Sequence, residues 1–324
     1  MATNTFEQTL KRNEILLALR EYGIYFALAI LVLGFALASP RFATVNNLVL
    51  ILLQVSVTGI ISTGMLFVIL SAGIDLSVGS ILAVAGMISG VYAHADPTNA
   101  NIILALAVPL VIGLLCGLLN GVLVAWAKVP ALIVTLGTLY AYRGFVVWYR
   151  VNPIYDLQPW YRVIGQNSLG PIPIPVVMFF LVTLIASIIL NLTRFGRYIY
   201  AVGGNEQAAK AAGINVSLVK LGVYTISGLL CGLAGLVFTS RLGAAQAISG
   251  QGYELITIAS VVVGGASLFG GRGTVSKTIV GALIIQVLQN GLVMLNVPSP
   301  IQQIIIGMII IGAVGLDNLL RQNH

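Results

Sequence analysis

Charge is what this sequence has least of. Of 324 residues only 8% are Asp, Glu, Lys or Arg, against 58% hydrophobic, and that balance leaves too little polar surface to clothe a water-soluble globule. Cysteine is nearly absent too: Cys116 and Cys231 both lie inside apolar runs, which argues against a disulfide or metal framework. The cations behind the net charge of +7 stand singly between apolar stretches and form no basic stripe of the kind a nucleic acid requires. No series of Asp, Glu or His crosses those stretches, which argues against proton-coupled transport. There is no metalloprotease motif and no Ser/His/Asp constellation, and the glycine-rich "GGRGTVSK", Gly270 to Lys277, lacks the spacing of a phosphate loop. No metal and no cofactor is expected in this chain, and energy for any work must come from elsewhere.

What the sequence does have is long apolar runs. Stretches of about 18 residues or more recur along the whole length, each able to cross a hydrocarbon core of about 30 Å as a helix. The runs are continuous, whereas barrel strands alternate over short segments, so the predicted fold is an all-α polytopic membrane protein. About ten spans are expected, near 22–39, 48–70, 78–94, 101–126, 130–149, 173–191, 217–240, 254–270, 274–295 and 300–317. They make one transmembrane domain, 22–317, between an amino-terminal segment, 1–21, and a tail, 318–324. Ala36-Leu37-Ala38 has the look of a signal-peptidase site, but the leading segment carries Glu7, Glu14 and Glu21, so no cleavage is expected.

Lysine and arginine orient the chain. With the amino terminus inside, the inner connections hold Lys11, Arg12, Arg20, Lys128, Arg194, Arg197, Lys210, Lys220, Arg272, Lys277 and Arg321, and the outer ones Arg41, Arg150, Arg162 and Arg241. The positive-inside rule then places both termini in the cytoplasm. Trp148, Tyr149, Trp160 and Tyr161 flank the longest outer loop, either as an interfacial aromatic belt or in ordinary packing.

Two acids echo one another. "GIDL" at Gly73 to Leu76 is matched by "GYEL" at Gly252 to Leu255; Asn120-Gly121 and Val129-Pro130 follow the first, and Asn290-Gly291 and Val297-Pro298 the second. The spacing differs mainly through the loop around Asp96. Because the charged turns fall at opposite places in the two copies, the repeats are read as inverted, roughly spans 2–5 against spans 7–10, an arrangement that gives transporters alternating access. "GLLCGL", at Gly113 and again at Gly228, breaks down at its flanks and is read as coincidence.

Asp75, with Ser77 and Ser80 beside it, falls on the inner side just before an apolar run. It can cap the helix that starts there, or it can act as a gate that exchanges partners; Glu254 would do the same on the outer side. Arg143, the charge deepest within a span, is expected to snorkel outward. Uncharged polar residues form stripes at helical spacing: Gln54, Thr58 and Ser62; Thr135, Thr138 and Tyr142; Gln286 and Asn290. They are candidates for a translocation path offering replaceable hydrogen bonds without a deep well, or are interhelical glue.

The inner loop 192–217 contains "TRFGRYIYAVGGNEQAAKAAGINV". Asn205 suits an N-cap, Glu206 a first turn and Gly213 a stop, so a helix of about 10 Å is expected. It either docks in a partner's groove or is a solvated connector.

That loop, "LSAGIDLSVGSILA", "KVPALIVTLGTL" and "GYELITIASVVVGGASLFGGRGT" closely resemble the permease subunits of bacterial ABC importers of the ribose, xylose, arabinose and galactose class, over about residues 39–317. The resemblance implies an inner-membrane protein that passes a monosaccharide, with a second permease subunit (same or different), a partner ATPase that uses ATP and Mg, and a periplasmic sugar-binding protein. It also implies that Gly203, Gly204, Asn205, Glu206, Ala208, Ala209 and Gly213 form the ATPase-coupling loop, and Arg197 of the same loop is grouped with them. Relatives often read "ELDAIA" where this chain has "ELITIA" with Ile256, so any role of that second acid does not carry over. The alternative reading, a self-sufficient secondary transporter of a small neutral solute, leaves the helix at Glu206 unexplained.

Overall fold

Helices lie on the apolar segments that the sequence marks out. In chain order they are α1 (Tyr22–Ala38), α2 (Val45–Leu70), α3 (Val78–Ala93), α4 (Ile102–Ala125), α5 (Ala131–Tyr149), α6 (Pro159–Gln166), α7 (Ile174–Leu192), α8 (Arg194–Gly204), α9 (Glu206–Ala211), α10 (Val216–Leu242), α11 (Tyr253–Val263), α12 (Val275–Met294) and α13 (Ser299–Gln322). The structure, a computed structural model, describes residues 22–95 and 100–322. The segment 1–21, with Lys11, Arg12, Arg20 and the acids Glu7, Glu14 and Glu21, lies outside the described residues, as do Asp96 and the side chains of the tail 318–324.

By length and composition, α2, α4, α5, α7, α10 and α12 can each cross a membrane; α1, α3, α11 and the apolar part of α13 are shorter. The all-α expectation has one small exception. A two-stranded antiparallel hairpin, β1 (Ser168–Leu169) and β2 (Ile172–Pro173), occupies the long connection between α6 and α7.

Burial singles out α2 as the core. Every residue from Val55 to Leu70 is buried, the signature of a helix wrapped by others on all sides. Around it α10 packs on α2, α3 and α4, while α2 itself packs on α10, α11 and α12; α3 lies on α4 and α5 as α11 lies on α12 and α13. The packing pattern is unchanged when α2–α5 are exchanged for α10–α13.

The segment expected to span 254–270 is helical only to Val263. The Gly264 N–H bonds Ser260 O at 3.0 Å, the Ala266 N–H bonds Val261 O at 3.1 Å, and Gly265 takes φ 81°, a left-handed conformation that glycine adopts without strain. Composition stayed apolar past this point, but the glycine-rich stretch turns back instead. Within it the Ser267 N–H bonds Arg272 O, and the Gly271 N–H donates to Leu70 O at 3.0 Å, so it closes the last turn of α2.

The Asp75 turn is not at the edge of the bundle as expected. Asp75 is bonded to Ser227 of α10, and Ser227 lies about 16 Å along a helix that begins at Val216. From there α3 runs beside α10: Gly235 faces Leu82, and Thr239 faces Gly86. The second turn enters too, because Gly250, at φ 69°, meets the backbone of Gly79 so closely that neither position has room for a side chain. Both acid-bearing turns therefore reach inward and touch.

The two "GLLCGL" copies are not a coincidence without structural meaning. Gly113 and Gly117 of α4 lie directly on the backbone of Gly228 and Gly232 of α10. Small residues on both sides let the helix backbones touch, as apolar helices without a water-driven force between them require.

Candidate functional site

Three places hold the residues singled out by chemistry. The first is a buried knot at Asp75, which is fully inaccessible. One carboxylate oxygen accepts from the Ser77 N–H at 3.0 Å and from the Ser77 hydroxyl at 2.6 Å; the other accepts from the Ser227 hydroxyl at 3.0 Å. Asn120 Nδ2 in turn donates to Ser77 Oγ at 2.8 Å. Asp75 lies three residues before α3 and accepts from the N–H of Ser77, the residue at the N-cap position, whose own side chain caps no helix N–H; it orders the entry to the helix as a turn-forming Asp does. Ser80 turns away and bonds Ser77 O. Among the described residues no cation pairs with the acid, and its two oxygens are met by three donors, which is how a buried polar group is made tolerable. Tyr224 and Thr135 donate to Ile74 O next door, at 3.2 and 3.3 Å, so α4, α5 and α10 all converge on one turn.

Glu254 does not copy this arrangement. It lies in the first turn of α11 behind Gly252, whose φ is 82°, and its carboxylate makes no hydrogen bond among the described residues. Arg143 does not snorkel away either. It bonds Ser249 O at 2.9 Å, Gly79 O at 3.3 Å and also Ala247 O, so one guanidinium ties α5 to both inward turns. Three of the five donors of the group are spent on carbonyls that the turns leave open.

The second place is the loop before α10. Its first half, expected as loop, is helix α8, capped by the Thr193 hydroxyl on the Gly196 N–H at 3.1 Å. Asn205 Oδ1 accepts from the Ala208 N–H at 3.0 Å and caps α9 as predicted, and Gly213, at φ 81°, ends it. Glu206 bonds Lys210 at 2.8 Å and Lys220 of α10 at 2.7 Å; Lys210 and Lys220 hold its carboxyl below the usual carboxylate range. Ala208, Gly204 and Arg197 face outward, while Ala209 is buried. Gly203 is a packing position: a side chain there would strike Leu70 O and Gly271 N. Beside α9 opens a cavity of about 550 Å³ reached by Lys128, Lys210, Lys220 and Glu206.

The third place separates the predicted stripes. Thr135 donates across to Ile74 O and Tyr142 to Cys116 O, at 3.3 and 3.2 Å, while among the described residues Thr138 bonds within its own helix. Asn290 exchanges two hydrogen bonds with Asn47, at 2.8 and 2.9 Å. Thr58 accepts from Gln286 Nε2 at 3.4 Å, and Ser62 Oγ is buried with no partner. Gln54, Gln286 and Asn290 line a cavity of about 360 Å³ with Arg241 and Tyr253. It adjoins a larger one, about 640 Å³, lined by Gln251, Glu254, Gln289, Gln302 and Gln303. Sequence reasoning missed Gln289, Gln302 and Gln303; the signal was Gln289 one turn beyond Gln286, on a face already marked as polar. Of the two readings for these aromatics, Tyr161 takes ordinary packing: it is fully buried and shares a 2.7 Å hydrogen bond with Ser89, whereas Trp148 is exposed.

Comparison with known proteins follows the same lines. Residues 47–314 match the profile of the family described as branched-chain amino acid transport system, permease component. The chain is 44% identical over 305 residues to the ribose import permease protein RbsC of Haemophilus influenzae, covering 93% of this chain and 94% of that one. It is 42% identical to the D-allose transport system permease protein AlsC of Escherichia coli, over 93% of each, and 42% identical to the ribose import permease protein RbsC of Bacillus subtilis, over 98% of each. No solved structure matches.

Proposed function

The chain belongs to the family of branched-chain amino acid transport system permease components, and from that membership we propose that it passes an uncharged monosaccharide across the membrane as the permease subunit of an ATP-binding-cassette importer. It is a multi-pass membrane protein and a transport subunit, not an enzyme. The ATP and Mg are used by a separate ATPase, the sugar is handed over by a periplasmic binding protein, and a second permease subunit completes the path. The membrane is the bacterial inner membrane with both termini cytoplasmic, about ten segments enter it, and spans 2–5 and 7–10 form inverted repeats. The exchangeable packing of α2–α5 and α10–α13 supports that symmetry.

The observation that carries this reading is α9. It is too short and polar to enter lipid, about 9 Å at ~1.5 Å per residue, yet it is capped at both ends and fastened to α10 through Glu206 and Lys220. A connector needs no such fastening, whereas a helix that receives a push from an ATPase does. Arg197, Gly204, Asn205 and Ala208 present the docking surface, and Gly203, Ala209 and Gly213 shape it from behind. Gln54, Gln286 and Asn290 line the path, with Thr58 and Ser62 behind them; Thr135, Thr138 and Tyr142 hold the helices that bound it. Asp75 and Ser77 fix the turn between α2 and α3.

The test is reconstitution. Vesicles holding the permease with the ATPase and binding protein encoded beside it should accumulate D-ribose or D-allose only with ATP. Accumulation by the permease alone, driven by an ion gradient, would establish the secondary-transporter reading instead.

A further inference from the structure

The two adjoining cavities have a chemistry of their own. They share Ile256, Gln289 and Gln302, so they form one continuous recess between α11, α12 and α13 that extends toward Gln54 of α2. Its combined size falls in the range of about 300–1,000 Å³ usual for small-molecule sites. Amide side chains dominate its polar lining. The side chains of the half-buried Gln54 and Gln289 and of the exposed Gln251 and Gln303 make no hydrogen bond among the described residues, and neither does the carboxylate of the half-buried Glu254. An amide offers both donors and an acceptor, and a carboxylate offers acceptors only; gathered around one recess and committed to no protein partner, they are free to meet a ligand that enters it.

Glu254 is also kept free. Its Oε2 lies against Gly79, the residue whose carbonyl Arg143 holds, so a cation stands close by that has given three of its donors to Gly79, Ala247 and Ser249 and forms no ion pair with the acid. An acid at such a position that is neither paired nor capping is functional by default. Among the described residues no three His, Cys, Asp or Glu come together as a metal site, which leaves a ligand rich in hydroxyl groups. A carboxylate can accept two neighbouring hydroxyls at once, glutamines can donate to or accept from the others, and Ile256 gives the ring's C–H face an apolar wall.

We propose that Glu254, Gln289, Gln302 and Gln303 form a sugar-binding subsite within the permease itself, at which vicinal hydroxyls of a monosaccharide are recognised on Glu254. The proposal rests on the reading of the chain as a sugar permease and deepens it, because selection is then made twice, once by the binding protein and again in the membrane. A site that hydrogen-bonds a hydroxyl rejects analogues lacking it.

The experiment is uptake of D-ribose and D-allose by the complete importer in vesicles, alongside saturation-transfer NMR of the same two sugars on the permease alone in nanodiscs. Glu254→Gln and Gln289→Leu should each lower kcat/KM for the transported sugar at least about tenfold, the measure of one charge-assisted hydrogen bond. They should also abolish the sugar's saturation-transfer signal, while Glu254→Asp restores part of both, which a merely misfolded protein cannot do. Gln207→Leu, on the outer surface of α9, should leave the signal unchanged. Wild-type kcat/KM and an undiminished signal in Glu254→Gln overturn the subsite and leave the permease reading intact. Failure of the wild-type importer to take up either sugar counts against the reading of the chain as their permease.

Discussion

Ser227 donates a 3.0 Å hydrogen bond to Asp75 across 152 residues of sequence, joining the middle of α10 to the turn between α2 and α3. Among the described residues the acid has no cation for company. Its three donors come from two serines, one of which also contributes its backbone N–H, and the knot is out of reach of water.

Removing the acid therefore leaves donors stranded. Asp75→Ala should lower stability by about 1–3 kcal/mol, the usual cost of unpaired buried polar groups, and Ser227→Ala by about 1 kcal/mol. Thermal melting in detergent measures both. An Asp75→Ala protein that melts with the wild type but transports nothing would make the residue a moving gate and not a fixed brace.

Ala208 and Ala209 are neighbours with opposite surroundings, one exposed and one buried. Ala208→Arg should leave the fold and thermal melting unchanged while abolishing co-purification with the ATPase and uptake. Ala209→Arg should instead destabilise by overpacking, by about 1–3 kcal/mol. Normal uptake by Ala208→Arg would reduce α9 to a connector.

Glu206 sets a pH limit on the same helix. Because Lys210 and Lys220 depress its pKa, the stabilisation is complete above the ordinary carboxylate range and is lost as pH falls through the depressed value in the folded protein. Hydrogen exchange of the α9 amides should stay slow from neutral pH down to that range and quicken below it. Glu206→Gln should exchange faster at neutral pH by an amount worth about 0.2–1 kcal/mol, with that acid step gone.

The inverted repeat predicts opposite access for the two inward turns. In a variant without Cys116 and Cys231, Ala72→Cys should react with impermeant thiol reagents from the cytoplasm and Gln251→Cys from the periplasm; both positions are exposed. Labelling of both from one face of intact cells would contradict the inversion.

The long apolar helices were legible in the sequence because hydropathy alone sets them, and the cap and stop of α9 because Asn205 and Gly213 carry local chemistry; the amphipathic α8 was not. Depth was not legible. A Gly-Asp turn reads the same whether it lies at the surface or folds inward, and the apolar run after Glu254 gave no sign that glycines would end the helix at Val263. Arg143 was misplaced because its binding partners are backbone carbonyls, which every sequence contains. Tyr161 was left open between two readings because an amphipathic ring suits a membrane surface and a buried hydroxyl pair equally well. The glutamines of the recess lie on separate helices, and only the fold gathers them.

The contact between α4 and α10, glycine upon glycine, has a mechanical consequence. Where backbones touch, no side chain remains to flex, and a tightly packed joint has little compliance. α10 then behaves as a stiff rod braced along its side by α4. Near its first turns Lys220 grips α9, midway Ser227 holds Asp75, and near its far end Ser240 accepts from the Gly165 N–H of α6 at 2.7 Å. A displacement applied at α9 therefore has little slack in which to be absorbed before it reaches the opposite end.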